Sequence, residues 1–384
     1  MKIWRLTLFN LKKRKGTSVS LLLLIFIATL FLCIGLNIMT GARNIYKINH
    51  TALNEPDNCY ICSQSMFRKE YYEFLKNNEL TEKSECIRVI GMTEGEIPYD
   101  GGTIEIALMF QNYDEQGKFF SPVFTDLTEV SAEKAIYAPE TLRQYGFASG
   151  DMLTIGYKGN QYKFQIAGFF QTTCFGIIHT GGLRFYLPQE NYEGLKQEIG
   201  ECYAMLASAE SYKNSYELDM ELKDYIRKNA DSITKTEMVI WGNALECEGA
   251  YSYMGIIMAA ILLGFSVIIT IICLLVIRFR IHNTIETSMV QIGTLQALGF
   301  KAGEVISVYV LEYVLISTVG ALAGISANYM VLPVFGKALE GIYGLSWKFF
   351  GHLEKDVCCL LFCILLSAVL SFFPPEGYIV MHRS

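Results

Sequence analysis

Thiols, imidazoles and one isolated carboxylate are the reactive side chains of this sequence, and their spacing limits what they can do. Cys59 and Cys62 form a CxxC, the spacing of a redox dithiol or of half a structural zinc site. No second CxxC and no histidine at ligand spacing accompanies it, so zinc is not expected and redox activity rests on one short motif. Of the 11 cysteines, Cys33, Cys273, Cys358, Cys359 and Cys363 fall in apolar runs and read as small apolar fillers. Cys59, Cys62, Cys86, Cys174, Cys202 and Cys247 fall outside them; an even set permits disulfides, whose pairing sequence order cannot give. Cys59 or Cys202 is the expected target of a membrane-impermeant thiol reagent. His50, His179, His282, His352 and His382 occur singly. There is no GxxxxGK[ST], so the chain offers no P-loop for ATP, and there is no GxSxG or HExxH. No catalytic residue and no metal site is expected, and the chain is read as a non-enzyme.

Glu312 stands alone as an acid inside a long apolar run. A carboxylate in hydrocarbon is costly and therefore a functional candidate. The competing reading is a hydrogen-bonded carboxyl that faces other helices within a few turns of the surface. No second acid accompanies it in the run, which argues against a proton relay. Further along, Gly320 and Gly324 form a GxxxG, the small-residue pattern that lets helix backbones approach closely.

The elements that must carry these residues are set by composition. The 384 residues are 52% apolar and only 18% charged, where soluble domains carry about 25%. Four apolar segments are long enough to cross about 30 Å of hydrocarbon: 17–40, 251–277, 305–331 and the shorter 357–373. The first has no small-x-small cleavage site after it and reads as a retained anchor. Lys2, Arg5, Lys12, Lys13, Arg14 and Lys15 precede it, which puts the N-terminus in the cytoplasm. Four crossings return the C-terminus there and leave Arg278, Arg280 and Lys301 inside. The net charge of −6 and the absence of long basic blocks argue against nucleic acid as a partner. The expected class is a multi-pass, α-helical membrane protein with four spans and a large extracellular α+β domain inserted between the first two.

In order, the expected parts are a basic amphipathic lead (1–16), span one (17–40), the extracellular domain (41–250), span two (251–277), a cytoplasmic segment (278–304), span three (305–331), an extracellular loop (332–356), span four (357–373) and a cytoplasmic tail (374–384). In the lead, Trp4, Leu8 and Leu11 share a face suited to the lipid interface. Within the large domain, MFRKEYYEFLKNN places Phe67, Tyr71, Phe74 and Asn78 at helical spacing. ECIRVIG reads as a short strand, and YAPETLRQYG as a helix begun near Pro139 and stopped at Gly146. Met152–Tyr157 and Tyr162–Phe169 read as strands joined by the turn Lys158-Gly159-Asn160. CYAMLAS reads as a strand and SYELDMELKDYIRKN as a helix leading back to the membrane.

Between spans two and three, Ile285, Met289, Ile292 and Leu295 recur on one helical face, and Gly299 follows Leu298 where a left-handed cap is expected. An exposed apolar face needs a partner: lipid, the rest of the chain, or a groove on another protein.

The stretch IETSMVQIGTLQALGFKAGEVISVYVLEYVLISTVGALAG resembles the signature of the FtsX-like, MacB-type permeases of ABC transporters. Ile292-Gly293, Leu295, Ala297-Leu298-Gly299 and Glu312 match the family pattern, while Gln291 and Ser288 stand where an acid and an arginine are usual. TLFNLKKRKGTSVSLLLLIFI is similar to the family's lead into its first span. KAIYAPETLRQYGFASGDMLTIGYKGNQYKFQIAGFF is similar to its extracellular core domain. The resemblance implies a bacterial plasma-membrane permease that holds no cofactor itself. A separate ABC ATP-binding subunit, carrying ATP and Mg, would grip Ile285, Met289, Ile292, Gly293, Leu295, Leu298 and Gly299. A second permease chain would complete the assembly within membrane lipid, with Glu312, Gly320 and Gly324 serving packing or coupling. The expected output is export or extraction of a peptide, lipid-like or drug substrate. The alternative is a non-transporting relay that regulates an extracellular cell-wall hydrolase or sensor. The ending SFFPPEGYIVMHRS also suits a piece of a longer, duplicated permease.

Overall fold

The computed structural model describes residues 2–13, 15–115, 117–229, 240–287, 294, 302–347 and 353–372. The chain separates into two units, one formed by 1–41, 256–335 and 349–384, the other by 42–255 and 336–348.

The second unit is an α+β domain built on one mixed sheet. Its elements are β1 (Asn58–Ser63), α3 (Lys69–Asn77), β2 (Thr81–Tyr99), β3 (Gly102–Asn112), β4 (Phe124–Thr125), β5 (Ala135–Pro139), β6 (Met152–Tyr157), β7 (Asn160–Phe170), β8 (Gly182–Leu187), α4 (Gln189–Ile199), β9 (Cys202–Ala209), α5 (Ser215–Asn229) and β10 (Ile240–Asn243). The strand order is β10-β1-β9-β2-β3-β8-β5-β7-β4, with β6 pairing β7 and β2. Only β3·β8 and β5·β7 are parallel among the described pairs. The short strand expected at ECIRVIG is part of β2, which runs for 19 residues. Thr81 to Val89 of β2 pair β9 and Ile90 to Tyr99 pair β3, and a register shift between Met92 and Gly95 falls within the length that pairs β3. A bulge of this kind bends the strand locally and increases its twist.

The hairpin forms as its turn chemistry requires. Lys158 and Gly159 have φ of 49° and 82°, the pair of left-handed residues that a two-residue hairpin turn demands. Phe164 and Ile166 are buried and Lys163 is exposed, as alternation expects. Beyond Ile166 the alternation ends, and Ala167 through Phe170 are all buried, because β7 there lies between β5 and β4. The turn of YAPETLRQYG is a 3-10 helix, Glu140–Tyr145, stopped by Gly146 at φ 92°. The helix expected from Phe67 starts two positions later, at Lys69, and buries Tyr71 and Leu75.

The first unit is helical: α1 (Lys2–Lys13), α2 (Lys15–Ala52), α6 (Ala244–Thr287), α7 (Ala302–Tyr343) and α8 (Leu353–Phe372), with the far ends of α2 and α7 and the start of α6 counted in the α+β domain. Three of these are long and apolar enough to cross a membrane: Ser18–Ala52, Ala244–Arg280 and Val310–Tyr343. Four were expected; the segment of the fourth lies on α8, a 20-residue helix outside that set. The helices also outrun the apolar segments. α2 continues past 40 to Ala52, and α7 continues through Pro333 to Tyr343, so the early part of the expected loop 332–356 is helix. Apolarity marks the stretch that lipid could cover; the backbone ladder continues wherever polar residues still form helix.

Candidate functional site

Of the residues expected to grip a partner, Ile285 lies in the last turns of α6. Met289, Ile292, Gly293, Leu295, Leu298 and Gly299 lie outside the described residues. Glu312, on α7, is 2% exposed. The Arg280 guanidinium on α6 donates to it at 3.4 Å and to the Ser18 hydroxyl on α2 at 3.1 Å. Three helices therefore meet at one charge pair, in a setting where an unpaired carboxylate would be strongly unfavourable. A Cβ on Gly320 would lie 3.1 Å from the Leu22 carbonyl oxygen, and one on Gly324 would lie 2.8 Å from that of Phe26. The GxxxG of α7 is thus the groove in which the α2 backbone lies. Ser317 donates to Ser367 at 2.5 Å, tying α8 to α7.

The CxxC does not operate as a dithiol. Cys59 and Cys62 lie on β1, and a strand sends positions three apart to opposite faces. Cys59 packs in one apolar cluster with Phe175 and Leu206, and Cys62 in another with Tyr71 and Leu222. Cys59 is 1% exposed, which removes it as a labelling site; Cys86 and Cys202 are half-buried. All the cysteines are free thiols. Among the described residues, no three His, Cys, Asp or Glu groups are placed to hold a metal ion.

A second constellation, in the α+β domain, had no sequence signal. Directly after β7, three consecutive residues each bond a different helix end. Gln171 donates to the Ser346 hydroxyl, just beyond α7, at 3.0 Å. The Thr172 carbonyl accepts from the Tyr251 hydroxyl of α6 at 2.9 Å. The Thr173 hydroxyl bonds His50 Nδ1, in the last turn of α2, at 2.8 Å. Around this loop, His50 Nε2 meets Asp57 at 3.0 Å, and the Asp57 carboxylate also accepts the Ala209 amide at 2.9 Å. Arg184 donates to Glu55 at 2.8 Å and to the Thr172 hydroxyl at 2.7 Å. Burial pushes the Glu55 carboxyl up against the pull of Arg184 and His50. Burial pulls the Arg184 guanidinium down, but Glu55, together with Tyr186, Cys174 and Cys59, outweighs it and holds the group above its ordinary value. The rings of Tyr46, Tyr251, Tyr343 and Trp347 form a run with successive centroids 5.5, 6.1 and 5.4 Å apart.

Thr173, His50 and Asp57 have the connectivity of a nucleophile–base–acid triad. The Thr173 side chain is fully enclosed at 0% exposure, so no substrate reaches it, and an enclosed triad can only hold structure. Gly176 is required beside it, because any Cβ there would collide with the Thr172 carbonyl and the Tyr251 hydroxyl. What this arrangement can do is mechanical: a short loop fixed to the sheet through β7 is bonded to three helix ends at once. Ordinary Gln and Thr residues in a loop gave no hint of it.

Residues 263–375 match the family model described as FtsX-like permease C-terminal, which bears out the resemblance read from the sequence over that part of the chain. The match spans Arg280, Glu312, Gly320 and Gly324. Solved structures similar to the chain include two that share little sequence with it. One is the periplasmic region of MacB from Actinobacillus actinomycetemcomitans, 8% identical, covering 52% of this chain and 94% of that one at a TM-score of 0.25. The other is a domain from Porphyromonas gingivalis described as that of a permease protein, 11% identical, covering 49% and 88% at a TM-score of 0.22. No curated protein matches.

Proposed function

We propose that this chain, whose residues 263–375 are similar to the C-terminal region of FtsX-like permeases, is the membrane-spanning subunit of a bacterial ABC transporter. A separate ATP-binding subunit grips the segment from Ile285 to Gly299 on the cytoplasmic face, and ATP and Mg reside there rather than here. Closure of two such subunits, each under one permease chain, shifts the helices. The α+β domain lies outside the cell and moves with them. The reaction at the membrane is export or extraction of a peptide, lipid-like or drug substrate.

The family match over 263–375 carries this reading. The bonds from Gln171, Thr172 and Thr173 to three helix ends support the mechanical part, since a helix shift would reach β7 through them. Those same bonds favour a second reading, in which the moving domain drives an extracellular hydrolase or sensor and nothing is transported.

Purification of the tagged chain from native membranes tests the core of the proposal. A P-loop ATPase should accompany it, and Leu295→Asp should abolish output while the chain remains inserted. Recovery of the chain with no nucleotide-binding subunit would overturn both readings. Changed substrate efflux, as against changed wall turnover, separates the two.

A further inference from the structure

A cavity of about 470 Å³ opens where β3 ends and the chain passes through residues 113–122. The rings of Tyr113, Phe119, Phe120, Phe124 and Tyr186 line it. Among the described residues, Asp114 and Glu115 are the charged ones on its wall, both exposed, and no basic side chain lines it. Gln111 also lines it, only 7% exposed, and its amide oxygen accepts no hydrogen bond. Lys118, between the lining residues Gly117 and Phe119, donates its ammonium to the Ser84 carbonyl at 3.4 Å. Arg184 sits 3.9 Å from the Phe120 ring centroid and is neutralised by Glu55, and Lys83 sits 4.3 Å from that of Phe119.

We propose that this cavity binds an organic ammonium group carried on an apolar body. Ring faces attract a cation, and two carboxylates add charge of the right sign. An anion meets the wrong charge, and a purely apolar ligand gains nothing from the two carboxylates. The volume falls within the range of small-molecule sites. The site also touches the joint at the helix ends. Phe120 and Ser121 donate their backbone N–H groups to the Asn54 and Leu53 carbonyls, just past α2, at 2.9 and 2.7 Å. Tyr186 accepts from Arg184, which also holds Thr172. That occupancy is felt by the helices rests on the permease reading; occupancy itself does not.

The test is titration of phenethylammonium into the full chain in zwitterionic nanodiscs, by calorimetry against empty nanodiscs, with no ATPase present. Saturable binding is expected, with neutral 2-phenylethanol at least about tenfold weaker. Glu115→Gln, an exposed change of equal size, should weaken the ammonium about threefold to tenfold and leave the alcohol unchanged. N-acetyl-Phe-Lys-amide, run in parallel, tells whether the group is better presented by a peptide side chain or by a free amine. Equal binding of ammonium and alcohol, an unchanged Glu115→Gln isotherm, or no saturable binding would overturn the assignment. Failure to find an ATPase partner would leave each of these results standing.

Discussion

Replacing Arg280 with methionine leaves the Glu312 carboxylate buried without the guanidinium 3.4 Å away. Breaking a buried pair in this way costs about 3–5 kcal/mol, whereas removing both charges is far milder. Arg280→Met should therefore lower the thermal midpoint of the detergent-solubilised chain sharply, and Arg280→Met with Glu312→Leu should recover most of it. Equal losses in the single and double variants would show that the two residues do not act as a pair. A second expectation concerns Cys86, whose thiol burial and the neighbouring Glu85 push up to about 11. Since the thiolate is the nucleophile, its alkylation rate should rise about tenfold per pH unit from pH 7 to 10; a plateau by pH 9 would contradict the shift. At this scale the sequence was half legible. Glu312 stood out against its apolar run, but Arg280 did not, because the pair joins two helices that spacing cannot bring together. The CxxC decided nothing by itself, because the same spacing means one surface on a turn and two opposite faces on a strand. Gln171, Thr172 and Thr173 were invisible, since their role depends on partners from α2, α6 and the tail of α7.

The α2–α7 contact is where a single glycine decides how closely two helices approach. Gly324→Val places a Cβ 2.8 Å from the Phe26 carbonyl oxygen and 3.0 Å from the Thr29 Cβ. Backbone cannot yield as a flexible side chain can, so overpacking of about 1–3 kcal/mol follows. Gly264→Ala on α6, where nothing lies within 4 Å, is the control and should be neutral or slightly stabilising. Similar midpoint shifts in the two variants, measured in detergent, would show that the contact is loose. The GxxxG was readable because its logic is local to one helix. The hairpin of β6 and β7 was readable for the same reason: its turn is set by Lys158 and Gly159. The length of β2 was not, because its two ends are stabilised by β9 and β3, strands far away in sequence. The ends of α2 and α7 were missed because apolar content marks the stretch lipid could cover and says nothing of where the helical ladder stops.

At the scale of the molecule, the α+β domain is discontinuous: residues 336–348 return to complete it after the chain has passed through two more helices. Tyr343, Leu345 and Trp347 are buried. The Tyr343 hydroxyl accepts the Gly255 amide at 2.7 Å, and the Ser346 carbonyl accepts from Asn49 at 3.2 Å. Gly344, at φ 64°, lies against Thr141, where a Cβ would meet the Thr141 nitrogen at 2.8 Å. A large apolar side chain contributes about 1.5–3 kcal/mol when fully buried, so this return segment stabilises the domain by something on the order of 5 kcal/mol. A fragment of residues 42–255 should accordingly unfold at much lower urea than the same fragment joined to 336–348 by a flexible linker. Leu345→Asp in the linked form should remove most of the gain, because it puts a charge where a side chain is 1% exposed. Equal midpoints for the bare and linked fragments would mean that the returning segment only rests on a domain already complete. A large difference would mean that the end of α7 is part of the domain's own structure, so that a displacement of that helix cannot leave β7 and its loop where they were.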